Sequence, residues 1–152
     1  MELNIHELLT EDTVFLPLEV GTKEEVIARM TEGLKLSGSV TDGVQYVSDV
    51  LAREATGSTG IGFGVAIPHG KSTGVAKPGL AVARMAGPTE WESLDETPVS
   101  IVFLIAVPKE NVGNEHLQIL VALSRKLIHD DFRQSLLDAG SKQEIIDILK
   151  NM

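Results

Sequence analysis

The residues able to do chemistry crowd into one stretch, Arg53 to Lys71, which reads REATGSTGIGFGVAIPHGK. Gly57, Gly60, Gly62 and Gly64 are followed by a lone histidine, His69, set between Pro68 and Gly70. Glycine admits positive φ and lets backbone approach another group closely. Pro68 fixes its own φ and biases Ile67 towards an extended conformation. The expected path leaves a helix, loops tightly, runs briefly extended and presents an imidazole at a turn. The plainer alternative is a glycine-rich connection with an incidental surface histidine. Nucleotide-binding loops fit poorly. Gly60-x-Gly62-Phe63-Gly64 breaks the dinucleotide spacing, and a phosphate loop ending in Gly70-Lys71-Ser72 would need its first glycine where Val65 stands.

Three other histidines bear on the chemistry. His6 lies near the N-terminus, His116 follows the most apolar run of the chain, and His129 stands beside Asp130 and Asp131. His129 reads as the end of a helix, where a histidine suits the dipole, and so as structural or surface. His116 falls just after a central strand, where sites in α/β sheets collect. A metal site needs three or four converging ligands, and no His-x-x-x-His spacing offers them. Ser58 and Ser72 lack the Gly-x-Ser-x-Gly elbow of a serine hydrolase. What remains is histidine as nucleophile. A neutral imidazole can attack a phosphoryl group and carry it as a phosphoramidate, given cations or N–H groups around the phosphoryl oxygens and little competing water. His69 would be the nucleophile, His116 a second ring and Arg53 a cation, with the N–H groups of Gly60, Gly62 and Gly64 around the phosphate. Arg53 equally suits a helix end, where a cation complements the dipole.

The elements that must position these groups are legible in outline. Thr13 to Leu16 alternates as a short strand ended or edged by Pro17. Thr22 and Glu25 form a capping box for a helix through Val26, Ile27, Met30 and Leu34. Ser37-Gly38 stops it. Thr41 starts a second helix with Val44, Val47, Val50 and Leu51 on one face, and Gly57 ends it. Val65–Ile67 and Leu80–Ala86 read as strands, and Pro88 to Pro98 as a loop carrying Trp91. VSIVFLIAV, Val99 to Val107, has the apolar content of a strand covered on both faces. Asn114 caps a helix with Leu117, Leu120, Val121, Leu127 and Ile128. Asp130 caps a short one with Phe132, Leu136 and Leu137. Ser141 and Glu144 box a last one with Ile145, Ile148 and Leu149. The order is strand, two helices, two or three strands, three helices: an α/β (α+β) fold of three layers, with helices on both faces of a mixed sheet.

At 152 residues, 43% hydrophobic and 23% charged, the chain suits one globular domain over 1–152. A formal charge of −9 argues against nucleic acid or an anionic membrane as main partner. There is no cysteine, so thiol chemistry is absent. MELNIHELL has no basic, long-cored leader, and no run is long enough to span a bilayer. Neither a cofactor nor a metal is expected, and the location expected is the cytoplasm.

With these residues in view, Arg53-Glu54 and GSTGIGFGVAIPHG resemble the active-site signature of the IIA components of the phosphoenolpyruvate-dependent sugar phosphotransferase system, fructose/mannitol class. NEHLQILVALSRKL followed by DDFRQSLLDA resembles that class's second signature. The resemblance implies a histidine that takes phosphate from the phosphocarrier HPr and passes it to a cysteine of a IIB partner, with a IIC permease served indirectly. It places the phosphoryl acceptor on His69, with the tele nitrogen as the site, the second active-site histidine on His116, and the active-site arginine on Arg53. Fructose-type IIA is the expected branch. The nitrogen-related branch, which regulates other proteins and transports nothing, is the alternative, and an anion-binding domain without turnover is a third. Ile61, Phe63 and Val65, large apolar residues flanking glycines, are expected to form an apolar docking rim for HPr.

Overall fold

The computed structural model describes residues 8–19, 21–89, 91, 98–109 and 115–151, with the backbone alone at 88 and 115–117. His6 and Asn114 lie outside them. A six-stranded mixed sheet stands between two helical layers. Its strands are β1 (Val14–Leu18), β2 (Gly60–Gly62), β3 (Val65–Ala66), β4 (His69–Ser72), β5 (Gly79–Thr89) and β6 (Val99–Pro108). The helices are α1 (Lys23–Leu36), α2 (Gly43–Thr56), α3 (Glu115–Leu127), α4 (Asp130–Asp138) and α5 (Lys142–Lys150). The expected order holds, but among the described residues five strands fill the stretch between α2 and α3 where two or three were expected.

β6 is the spine. β5 runs antiparallel along one side of it, and β1 lies parallel outside β5. On its other side β3 and β4 follow one another, both parallel to it: Val65 opposes Ile101 and His69 opposes Ile105. β2 folds back antiparallel on β3. Alternation along β6 separates the two cores. Ile101, Phe103, Ile105 and Val107 pack with α3, α4 and α5, while Val102, Leu104 and Ala106 pack with α1 and α2. The α1–α2 face is floored by small side chains, Ala66, Ala81, Ala83 and Ala106, which lets those helices approach closely.

Half of each expected capping box forms. Thr22 Oγ1 accepts from the Glu25 N–H at 3.2 Å, although the Glu25 carboxylate takes the Thr22 hydroxyl at 3.0 Å where the backbone N–H was expected. Ser141 Oγ accepts from Glu144 N–H at 3.2 Å, and the Glu144 carboxylate reaches Gly140 N–H. Asp42, not Thr41, caps α2, its Oδ1 accepting from Gln45 N–H at 3.1 Å. Thr41 instead binds the Gly74 carbonyl. His129 is not the end of α3; it occupies the N-cap position of α4, with Asp130 the first helical residue. β5 continues through Pro88 to Thr89, so the expected loop starts later, and Trp91 is buried. Among the described residues no helix is long and apolar enough to cross a membrane.

Candidate active site

His69 opens β4 and so stands on a strand, not at a turn. Its neighbours fix which way it faces. Gly70 lies against α2, where an added Cβ would come within 2.7 Å of Val50 Cγ2. His69 and Lys71 therefore face the opposite side, level with Ile105 and Val107, which pack under α3. Between β3 and β4 the register to β6 is kept: Pro68 O accepts from Ile105 N–H at 3.0 Å, while Ile67 N–H faces away from β6 and donates to Thr59 O at 3.0 Å. Pro68 itself has no N–H to add to the ladder. The Ile67 carbonyl lies 3.1 Å from His69 Nδ1.

A cavity of about 270 Å³ is lined by Asp49, Arg53, His69, Gly70, Lys71 and Val107. It lies over β4, which pairs with β6 alone, so that α2 side chains reach the histidine around the strand's outer edge. Arg53 Nη1 donates to Gly57 O at 2.7 Å and to Thr56 Oγ1 at 3.3 Å. The guanidinium thus closes the end of its own helix and lines the His69 cavity at once. His116 is the second residue of α3, on the helix that covers the His69 face of the sheet; its side chain lies outside the described residues. His129 is exposed at the α3–α4 junction, away from this cavity.

Two of the three glycines lie away from the histidine. Gly62 and Gly64, at φ 92° and 76°, make the tip of the β2–β3 hairpin with Phe63 at φ 60°. That tip sits at the start of β6, where Gly64 O accepts from Ser100 and Ile101 N–H. His69 lies level with Ile105, about 13 Å further along the strand. Gly60 pairs with Ala66. The three glycines shape a hairpin; the loop backbone that touches the histidine's strand is Thr59. Val65 has no exposed surface and sits in the core, so it cannot belong to a docking rim. Ile61 is half-buried against the same core, and Phe63 is 53% exposed.

Sequence reasoning missed Lys71 and Asp49. With 69–72 recognised as a strand, alternation alone puts Lys71 on the His69 face. It also missed Tyr46, which is fully buried with its hydroxyl donating to Ile105 O at 2.7 Å. Ile105 is the residue that pairs with His69, so the tyrosine locks the ladder at the site. Burial pushes the Tyr46 hydroxyl well above its usual pKa of 10.0.

A family model for the phosphoenolpyruvate-dependent sugar phosphotransferase system, EIIA 2, matches residues 7–152. The chain belongs to this EIIA family. It is 39% identical to the fructose-specific EIIA component of Haloferax volcanii, over 93% of this chain and 96% of the relative. It is 42% identical to the fructose-specific EIIABC component of Bacillus subtilis, over 97% of this chain but only 23% of that longer protein. Among solved structures, the nitrogen regulatory protein IIA-Ntr from Neisseria meningitidis superposes with a TM-score of 0.88 at 36% identity, covering 95% of this chain and 98% of that one. The mannitol IIA in its complex with phosphorylated IIB from Escherichia coli gives a TM-score of 0.80 at 26% identity, covering 95% and 98%. The EIIA fold, a mixed sheet between helices, is the one described above.

Proposed function

We propose that this EIIA chain is the phosphoryl carrier of a fructose-type phosphotransferase system, working as one domain in the cytoplasm. It takes phosphate from phospho-HPr on His69 and gives it to a cysteine of a IIB component. The observation that carries this reading is His69 itself: Nδ1 is 3.1 Å from the Ile67 carbonyl, in a cavity shared with Arg53 and Lys71. A carbonyl can only accept, so this contact favours the Nδ1–H tautomer, and Nε2 then carries the ring's lone pair. Nε2 attacks phosphorus; the new N–P bond forms as the N–P bond to the HPr imidazole breaks and its electron pair returns to that ring. Positive charge gathers on the His69 ring, and the Ile67 carbonyl stabilises it. Arg53 faces the phosphoryl oxygens, and His116 serves as the second histidine of the site. In the second step the IIB thiolate attacks phosphorus, the S–P bond forms, and the N–P electron pair returns to Nε2.

The likeness to the Neisseria IIA-Ntr favours a second reading, in which the same phosphohistidine regulates partner proteins and serves no transport. The test is onward transfer. The chain is phosphorylated with phosphoenolpyruvate, enzyme I and HPr, separated, and mixed with a fructose-type IIB protein. The carrier reading expects the label on the IIB cysteine. A phosphorylated chain that passes nothing to IIB would favour the regulatory reading.

A further inference from the structure

Glu54 is a carboxylate the carrier mechanism does not use, yet its side chain is only 3% exposed. Burying a carboxylate costs several kcal/mol unless its oxygens are well served. Here they are. One oxygen accepts the Thr59 hydroxyl; the other accepts Thr59 N–H at 3.3 Å and faces Lys23 Nζ at 3.5 Å. Lys23 in turn lies 5.7 Å over the buried Trp91 ring, so the ammonium is held in place from a second side. Thr59 then passes the constraint on. Its carbonyl accepts from Ile67 N–H at 3.0 Å, and the Ile67 carbonyl meets His69 Nδ1 at 3.1 Å. Neighbouring residues hold the two ends of one short segment: Arg53 binds the Gly57 carbonyl, and Glu54 binds Thr59.

We propose that Glu54 is a positioning residue that, through Thr59 and Ile67, holds the carbonyl that selects the His69 tautomer and aims Nε2 at the incoming phosphoryl group. The inference rests on the reading of His69 as carrier. Its physical basis is that the Ile67–Pro68 peptide has no N–H to bond, so Ile67 is held on this side by its own N–H to the Thr59 carbonyl. Thr59 sits in a loop, and its own anchor is the Glu54 carboxylate. A glutamine at 54 has one acceptor oxygen where the carboxylate has two. It carries no charge to meet the Lys23 ammonium, and its oxygen can take the Thr59 N–H only with its NH2 turned to the Thr59 hydroxyl, which then accepts where it had donated; the charge-assisted bonds are lost and the segment loosens.

The test uses the full chain, labelled with nitrogen-15, in four forms: wild type, Glu54→Gln, Thr59→Val and Thr59→Ser. Thr59→Val keeps the shape and the N–H but removes the hydroxyl, so it probes the same link without disturbing the buried charge. Two quantities are read on forms that keep the wild-type amide spectrum elsewhere. One is the tautomer of His69 in the unphosphorylated protein, from its ring nitrogen shifts. The other is the rate of phosphorylation by phospho-HPr. Wild type should hold the Nδ1–H tautomer. Glu54→Gln and Thr59→Val should gain the Nε2–H tautomer and lose on the order of tenfold to a hundredfold in rate, the scale of a small misplacement at a reacting centre. Thr59→Ser, which keeps the hydroxyl, should restore both. Folded variants with the wild-type tautomer overturn the proposal, whether or not their rates fall, because slowing without a tautomer change is a merely structural effect. Failure of the carrier reading is distinct: the wild-type protein itself would then take no phosphate on His69.

Discussion

At the scale of single residues, the sequence singled out His69 and Arg53 by type and place, and the fold sets both against one cavity. What the sequence hid is how the histidine is held. The segment HGKS has no apolar alternation, since Gly70 is buried by α2 while Lys71 is exposed at the cavity, and so nothing announces a strand. The glycines misled for a related reason: clustering near a histidine in sequence looks like clustering around it in space, but the hairpin carries them away along β6. Arg53 gives the sharpest residue-scale prediction. Arg53→Ala should lower the rate of phosphoryl transfer through His69 by roughly two to three orders of magnitude, the usual loss for a donor to a developing anion. Single-turnover transfer from phospho-HPr measures it. A loss of less than a few-fold would leave Arg53 with its helix-end contact to Gly57 alone.

At the scale of elements, helix ends were the most legible features and helix faces the least. Thr22 and Ser141 cap with their own side chains, a local signal, so that half of each capping box forms wherever the helices pack. The face of α2 depends on what lies under it. Val44 was expected on the buried stripe, yet it is 85% exposed, because the stripe centres on Tyr46 and Val50. Two residues before Tyr46 lies roughly 200° round the helix. In α3 the same error put Val121 inward and passed over Ile119 and Leu123, which are buried; Leu127 is buried as expected, and Ile128, just past the helix, is exposed. The α2–β4 contact is where packing supports the site, and it yields two predictions. Gly70→Ala would set a methyl 2.7 Å from Val50 Cγ2 and 3.3 Å from the Val50 nitrogen. It should destabilise the fold by about 1–3 kcal/mol, an overpacking cost, in denaturant unfolding. Tyr46→Phe removes the bond to Ile105 O and should cost about 1 kcal/mol at neutral pH. The same variant should change the alkaline response. The native Tyr46 hydroxyl ionises well above the usual 10.0, so above about pH 10 the unfolded chain sheds a proton that the folded one keeps. Stability from this group is intact below that pH and falls as pH rises towards the native value. Tyr46→Phe should show a shallower loss of stability above pH 10 than wild type.

At the scale of the whole molecule, a formal charge of −9 surrounds a cavity that holds the cations Arg53 and Lys71 beside one carboxylate, Asp49. Net charge ruled out classes of partner in the sequence, but only the fold brings those cations beside the histidine. The hairpin tip is the exposed apolar feature that survives from the expected rim. Phe63 is 53% exposed and stacks on the Arg133 guanidinium at 4.3 Å. Phe63→Asp gives up that contact, worth about 0.5–1 kcal/mol, but aspartate tolerates the positive φ better than phenylalanine. The unfolding midpoint should therefore stay nearly constant while transfer from phospho-HPr slows. An unchanged rate would remove Phe63 from the docking face. The central claim is that this fold exists to present one imidazole as a phosphoryl carrier, and phosphate mapping tests it most directly. After incubation with phosphoenolpyruvate, enzyme I and HPr, the protein should carry one phosphoryl group on Nε2 of His69, labile in acid and stable in base, and absent from His69→Ala. Phosphate mapped to His116, His129 or a serine in the wild-type protein, or a His69→Ala variant that is still fully phosphorylated, would contradict it.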